Sequence, residues 1–208
     1  MRRTKAEAEE TRQRIICAAE QVFYDKGVFE TTLEDVARAA GVTRGAIYWH
    51  FANKTELLLA LHDAVPLPQE DMVARELQAD PADPLALILK ASIEWFTAIS
   101  GDERRQRIYT ILFRCDYSEE MASLLEKQRD VDSACCSDLN GAFESAAAKG
   151  QLSPNWTPQV ASRCYMWMVK GLYVDWLRFG MKFDLAAEGE KCLSQLFGSF
   201  RSKAPEAP

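Results

Sequence analysis

Hydrophobic and polar positions alternate along this chain with a helical period almost throughout. Ile15, Ile16, Ala19, Val22 and Phe23 form one stripe and Gly27 closes it, which predicts a first helix from about Glu7 to Lys26. Thr31 followed three residues later by Glu34 fits a capping box for a second helix. Val36, Ala37 and Ala40 give that helix its apolar face. Gly41 supplies the permissive turn, and Thr43 is placed to cap a third helix. There Ala46 and Ile47 face inward and Arg44, Tyr48, Trp49 and His50 look out. A fourth helix, capped by Asn53 or the turn before it, runs from near Lys54 towards Val65, with Pro66 and Pro68 breaking it. Further helices are expected at about 70–78, 84–99, 102–114, 118–148, 157–179 and 184–201. Loops fall at Asp80–Pro84, Gly101, Gly150–Pro158 and Gly180–Asp184. No strand-like alternation of any length occurs, so the expected class is all-α, with about nine helices.

Residues 33–51, LEDVARAAGVTRGAIYWHF, are two short helices joined by a tight turn. That pattern fits an ordinary αα-hairpin as well as a helix-turn-helix, whose second helix enters the major groove of DNA. An Arg at the start of that second helix can donate twice to guanine O6 and N7. Ile16, Phe23, Leu33, Val36, Val42, Ile47 and Phe51 would close the small core of a three-helix head.

AGVTRGAIYWHFANKTEL, residues 40–57, resembles the DNA-reading segment of the TetR family of transcriptional repressors, in the branch that controls multidrug efflux pumps. The opening MRRTKAEAEETRQRI resembles the same branch. The likeness continues more weakly through ERRQRIYTILF, GQL and GLYVDWL, so it spans nearly the whole chain. It implies a helix-turn-helix DNA-binding domain over 1–54 and a larger ligand-binding and dimerisation domain over 55–208. It also implies roles at the matched positions: Arg44 for base contact, and Gly45 and Ala46 for close approach to the groove. Thr32, Thr43, Tyr48, Trp49, His50 and Lys54 would serve phosphate, sugar or methyl contacts. Arg2, Arg3 and Lys5 form a basic arm that would meet DNA as well.

Charge is distributed in keeping with that end-on use. The head to Lys54 carries nine Lys/Arg against eight Asp/Glu, a net +1, which leaves −7 on the remainder of a chain whose total is −6. There is no secretory segment and no apolar run long enough to span a bilayer, so the expected setting is cytoplasmic, with no membrane partner. Six cysteines (Cys17, Cys115, Cys135, Cys136, Cys164, Cys192) include no CxxC pair and no Cys/His ligand spacing. No disulfide framework, metal or cofactor is expected, and most of these thiols are expected to be small buried hydrophobes. Oxidation at Cys135 or Cys136 would require an exposed, low-pKa thiolate.

The body is rich in aromatics. For each residue taken singly, plain core packing is the simpler reading; as a set they suit a large apolar pocket with a few polar handles. The resemblance implies such a pocket for a small hydrophobic or aromatic inducer. Its expected lining is Val65, Leu89, Ser92, Trp95, Phe96, Tyr109, Phe113, Cys135, Leu139, Met166, Val169, Lys170 and Tyr173. Two departures stand out. Arg114-Cys115-Asp116 is about one residue shorter than the family pattern, and Lys170 stands where some relatives carry an acid or a small polar residue. Lys170 either faces the pocket, favouring anionic ligands, or snorkels at the surface.

The helix over 157–179 is apolar nearly all round, and Leu185, Gly189, Cys192, Leu193, Leu196, Phe197 and Phe200 make a stripe on the last one. The pattern fits a completed monomer core or a four-helix interface between two chains; the resemblance implies the homodimer. The function expected is a dimeric, ligand-responsive repressor on palindromic double-stranded operator DNA of a multidrug efflux operon. The alternative is a DNA-binding regulator gated by cysteine oxidation or a protein partner. No catalytic constellation accompanies His50 and His62, the two histidines, so an enzyme is not expected.

Overall fold

The computed structural model of the chain describes residues 4–65, 77, 79–115 and 122–202. Among these, nine helices form: α1 (Lys5–Lys26), α2 (Leu33–Ala39), α3 (Arg44–His50), α4 (Lys54–Asp63), α5 (Pro84–Ser100), α6 (Glu103–Arg114), α7 (Ala122–Ala148), α8 (Pro158–Arg178) and α9 (Leu185–Phe200). The described residues contain no strand, only an isolated antiparallel bridge between Leu152 and Arg201. The all-helical class is therefore borne out. Arg2, Arg3, Pro66, Pro68, Asp116 and the helix expected near 70–78, apart from Leu77, lie outside the described residues. The chain divides into two compact units, Met1–Pro66 with Arg104–Gln128, and Leu67–Glu103 with Arg129–Pro208.

In the first unit, local chemistry sets each helix start. Thr4 caps α1 in a reciprocal box with Glu7, so α1 begins at Lys5, two residues earlier than the apolar stripe predicts. The cap of α2 is Thr32 with Asp35, not Thr31 with Glu34. Thr31 turns inward instead and donates its hydroxyl to the Gly27 carbonyl at 2.6 Å. Asn53 caps α4 through the Glu56 amide. Around these helices Ile15, Ile16, Ala19, Phe23, Leu33, Val36, Ile47, Phe51, Leu57, Leu58, Leu61, Ile108 and Ile111 form one buried cluster. Val42, expected in this core, packs against it half-buried. Each fully buried Leu, Ile or Phe contributes about 1.5–3 kcal/mol relative to exposure.

A charged group is also enclosed here. Glu20 of α1 is 5% exposed, and its two oxygens take the Nε groups of Arg104 and Arg107 on α6 at 2.9 and 3.0 Å. With both oxygens paired, the carboxylate avoids the penalty of an isolated buried charge.

In the second unit α9 packs on α5 and α8. Asp83 caps α5 and Thr157 caps α8, each with Pro in the first turn, where its missing N–H costs nothing. Phe143, Phe197 and Phe200 meet edge-on or tilted, with Trp156 and Tyr165 closing the cluster. Past α9 the chain is pinned by Ser153 N–H donating to the Phe200 carbonyl (2.7 Å) and by Arg201 donating to both Asp83 oxygens (3.2 and 2.9 Å).

Candidate nucleic-acid interface

Helix α3 is short and held at one point. Gly41, at φ +65, turns the chain after α2, and the Val42 N–H returns to the Ala37 carbonyl at 2.9 Å. Thr43 then caps α3 by accepting from the Ala46 amide at 3.2 Å. Ile47 is fully buried and anchors α3 in the first unit's core. Its outer face carries Arg44, Gly45, Tyr48 and Trp49, all exposed, with Ala46 and His50 half-buried. Trp49 is 70% exposed, so it is not a core residue, and its ring meets the His50 ring edge-on at 4.5 Å. Gly45 has open space where a Cβ would stand, so no neighbour among the described residues requires a glycine there.

Acidic residues of α2 organise this face. Glu34 Oε1 lies 3.1 Å from Arg44 Nε and accepts the Tyr48 phenolic O–H at 3.1 Å. The Arg44 guanidinium also lies over the Tyr48 ring, 5.7 Å from its centroid. Asp35 pairs with Lys26 at 2.8 Å and Arg38 at 3.6 Å while capping α2. The Lys26 ammonium, with the Thr32 amide and hydroxyl, holds the Asp35 carboxyl well below the usual carboxylate range. Lys54 donates to the Val28 and Phe29 carbonyls at 3.0 and 3.4 Å, and its ammonium lies 5.9 Å from the Phe29 ring centroid. Thr32 and Thr43 use their hydroxyl oxygens as caps. From sequence Glu34 is expected only as the capping partner of Thr31; the structure gives that cap to Thr32 and Asp35, and the spacing of Glu34 to Tyr48 gives no one-dimensional signal.

Of the residues expected to line an inducer pocket, Val65, Tyr109 and Phe113 belong to the first unit. Val65 is buried in that unit's core, and Tyr109 stacks on Phe113 at 6.1 Å. The others belong to the second unit. There the Ser92 hydroxyl meets the Tyr165 hydroxyl at 2.8 Å, and Trp95 meets Tyr173 edge-on at 4.9 Å. The Trp95 Nε1–H is enclosed and has no hydrogen-bond partner among the described residues. The Cys135 thiol lies 3.9 Å from the Met166 sulfur; Leu139 and Phe96 are buried and Val169 half-buried. Leu89 lines an open groove of about 400 Å³ with Ile93, Lys90 and Glu94. Lys170 is paired with Asp132 of α7, so its charge is already matched. Among the cysteines only Cys115 is buried; Cys17 is exposed and the other four are half-buried, which corrects the expectation that most would be core residues. Burial pushes the Cys115 thiol up to about 11. Sequence reasoning also missed Glu20 and its two arginines, which are more than eighty positions apart.

Comparison with known proteins agrees with this geometry. Residues 15–61 match the model for bacterial regulatory proteins of the tetR family, and residues 83–201 match that for the C-terminal region of MAATS-type transcriptional repressors. The HTH-type transcriptional repressor BepR of Brucella suis is 36% identical over 205 residues, covering 98% of each chain. The HTH-type transcriptional regulator TtgR of Pseudomonas putida is 38% identical over 192 residues, covering 92% of this chain and 91% of its own. Among solved structures, NalD, the secondary repressor of the MexAB-OprM multidrug efflux pump in Pseudomonas aeruginosa, aligns with TM-score 0.86 at 35% identity, covering 96% of this chain and all of its own. The SmeT–triclosan complex aligns with TM-score 0.81 at 31% identity, over 96% of this chain and 95% of its own. With residues 15–61 and 83–201 both matched and relatives 36% and 38% identical along nearly its whole length, the chain belongs to the TetR family of bacterial regulatory proteins.

Proposed function

We propose that this chain is a dimeric repressor that occupies a palindromic operator of a multidrug efflux operon and leaves it when a hydrophobic aromatic compound binds. The observation that carries the DNA end is α3, anchored by buried Ile47 and presenting Arg44, Gly45, Tyr48 and Trp49 outward. A glycine inside a helix costs about 0.5–1 kcal/mol against alanine. At Gly45 no neighbour among the described residues repays that cost, which suits close approach to a DNA backbone. Arg44 serves base contact, with Thr32, Thr43, Tyr48, Trp49, His50 and Lys54 on phosphate and sugar.

A repressor role at an efflux operon is supported by the relatives, of which BepR is named a repressor and NalD the repressor of an efflux pump. An aromatic inducer is supported by the bound triclosan of SmeT, and by the Ser92–Tyr165 and Trp95–Tyr173 pairs of the second unit. Such a compound releases DNA only if it binds better to a conformation with low DNA affinity. A homodimer is supported by the exposed apolar residues Val160 and Trp167 on α8, and by the two half-sites a helix-turn-helix ordinarily reads. The setting is cytoplasmic, where operator DNA lies; no described helix is long and apolar enough to cross a membrane.

The test is a footprint on the DNA upstream of this gene, followed by titration with Arg44→Ala. A two-fold symmetric footprint and a loss of about 1–3 kcal/mol of operator binding at fixed salt are expected. Operator affinity unchanged by Arg44→Ala would refute the assignment.

A further inference from the structure

We infer that Glu34 is a positioning residue for base readout by α3, an inference that rests on the proposed base contact of Arg44. One oxygen of Glu34 serves two side chains of the reading helix, approaching Arg44 Nε at 3.1 Å and accepting the Tyr48 hydroxyl at 3.1 Å. The Tyr48 ring backs the guanidinium at 5.7 Å, which closes a three-membered set. The nearest approach of Arg44 to the carboxylate is through Nε, the inner edge of the guanidinium. The outer edge, made by the two Nη groups, is the fork that donates to guanine O6 and N7. The carboxylate therefore draws the arginine by charge near its root, and the Nη fork is not the part nearest to it. An exposed arginine on a long stem otherwise loses rotamer freedom when it docks, and here part of that ordering precedes binding.

Within α2, Glu34 takes no part in the cap and counts only as an acid of the first turn. Thr32 and Asp35 fill the capping box, and Lys26 and Arg38 pair with Asp35. Its side chain is 36% exposed, at the same face as the reading helix. An anion at that face repels phosphates wherever Arg44 does not find its base, so it depresses non-specific binding as well as ordering the specific contact. Both effects raise discrimination between the operator and other DNA more than they raise affinity.

The experiment is in vitro selection from a random duplex pool with the full chain, in parallel for wild type, Glu34→Gln, Glu34→Ala and Arg44→Ala. Anisotropy titrations on the wild-type-selected duplex and on its scrambled counterpart follow at one salt concentration. Glu34→Gln is expected to lose base preference at the position that Arg44→Ala also erases, and to keep it elsewhere. The operator-to-scrambled affinity ratio should fall roughly tenfold, within the range of one bidentate base contact. Scrambled DNA should bind as tightly as before or more tightly. In the Arg44→Ala background, Glu34→Gln should cost nothing further. An intact base preference in Glu34→Gln, or additive losses in the double variant, overturns the positioning role while leaving Arg44 as reader. If Arg44→Ala itself leaves the preference intact, the base-contact reading falls and this inference with it. Thermal unfolding of each variant provides the structural control: a lowered Tm with unchanged base preference assigns Glu34 to the stability of α2 and overturns the proposal.

Discussion

Gly189 of α9 lies flat against the ring of Phe96 in α5. A Cβ added at Gly189 would stand 2.4 Å from Phe96 Cδ2 and 2.5 Å from Cε2. Phe96 is fully buried, so its ring yields only within the core around it. Gly189→Ala is therefore expected to destabilise the second unit by about 1–3 kcal/mol through overpacking. A denaturant midpoint equal to the wild type would show that the two helices separate without cost.

Glu20 with Arg104 and Arg107 predicts a second stability effect. Glu20→Ala leaves two guanidiniums without their carboxylate, each partly exposed and thus partly rescued by water. The expected loss is about 1–3 kcal/mol, the range for hydrogen bonds to charged groups. A double-mutant cycle with Arg107→Ala should show coupling; additive losses would contradict the pairing.

Acid should loosen the α2 cap. The Asp35 carboxyl is held low by Lys26 and Thr32, so its folded pKa lies below its unfolded one. Such a group contributes stability above the unfolded value, near pH 3.9, and loses it as pH falls through the folded value. Wild type is therefore expected to lose stability progressively below about pH 4, and Asp35→Asn to show a shallower acid limb from a lower neutral-pH starting point. Identical acid limbs in the two proteins would refute the linkage.

Thiol chemistry separates the cysteines. The Cys115 thiol is buried and pushed up to about 11, so it stays protonated at neutral pH, whereas Cys17 is exposed on α1. Iodoacetamide should label Cys17 in the native protein and Cys115 only after unfolding, read by peptide mass mapping. Native labelling of Cys115 would contradict its enclosure and strengthen an oxidant-gated alternative.

Charge matching at Lys170 predicts a narrow effect on ligand choice. With Asp132 beside it, the ammonium presents no spare charge to an anionic compound. Lys170→Met should change the response to acidic and neutral inducers alike. A selective loss for acidic ones, measured as operator release, would show that the lysine leaves Asp132 for the ligand.

What the sequence disclosed and what it hid follow from the range of the interactions. Helix spans were legible because Gly27, Thr43, Asn53, Pro84 and Pro158 act within a turn of themselves. Helix α3 was legible from the Gly41 turn, the Thr43 cap and inward Ile47, while Ala46, expected inward with it, is half-buried. The cap of α2 was misplaced by one residue because TTLED satisfies the box twice, as Thr31 with Glu34 and as Thr32 with Asp35. Only packing decides between them, by drawing Thr31 inside to Gly27. That single choice frees Glu34 for Arg44 and Tyr48, which no local pattern signals. Glu20 with its arginines, and Lys170 with Asp132, join positions far apart in the chain and were invisible for the same reason.

The most direct measurement of the central claim is an anisotropy titration on the DNA upstream of this gene, at fixed salt, with and without a panel of aromatic antimicrobials and plant phenolics. The account predicts tight, salt-sensitive binding that is lost on adding at least one compound. Specific binding that no compound disturbs, or no specific binding at all, would contradict it.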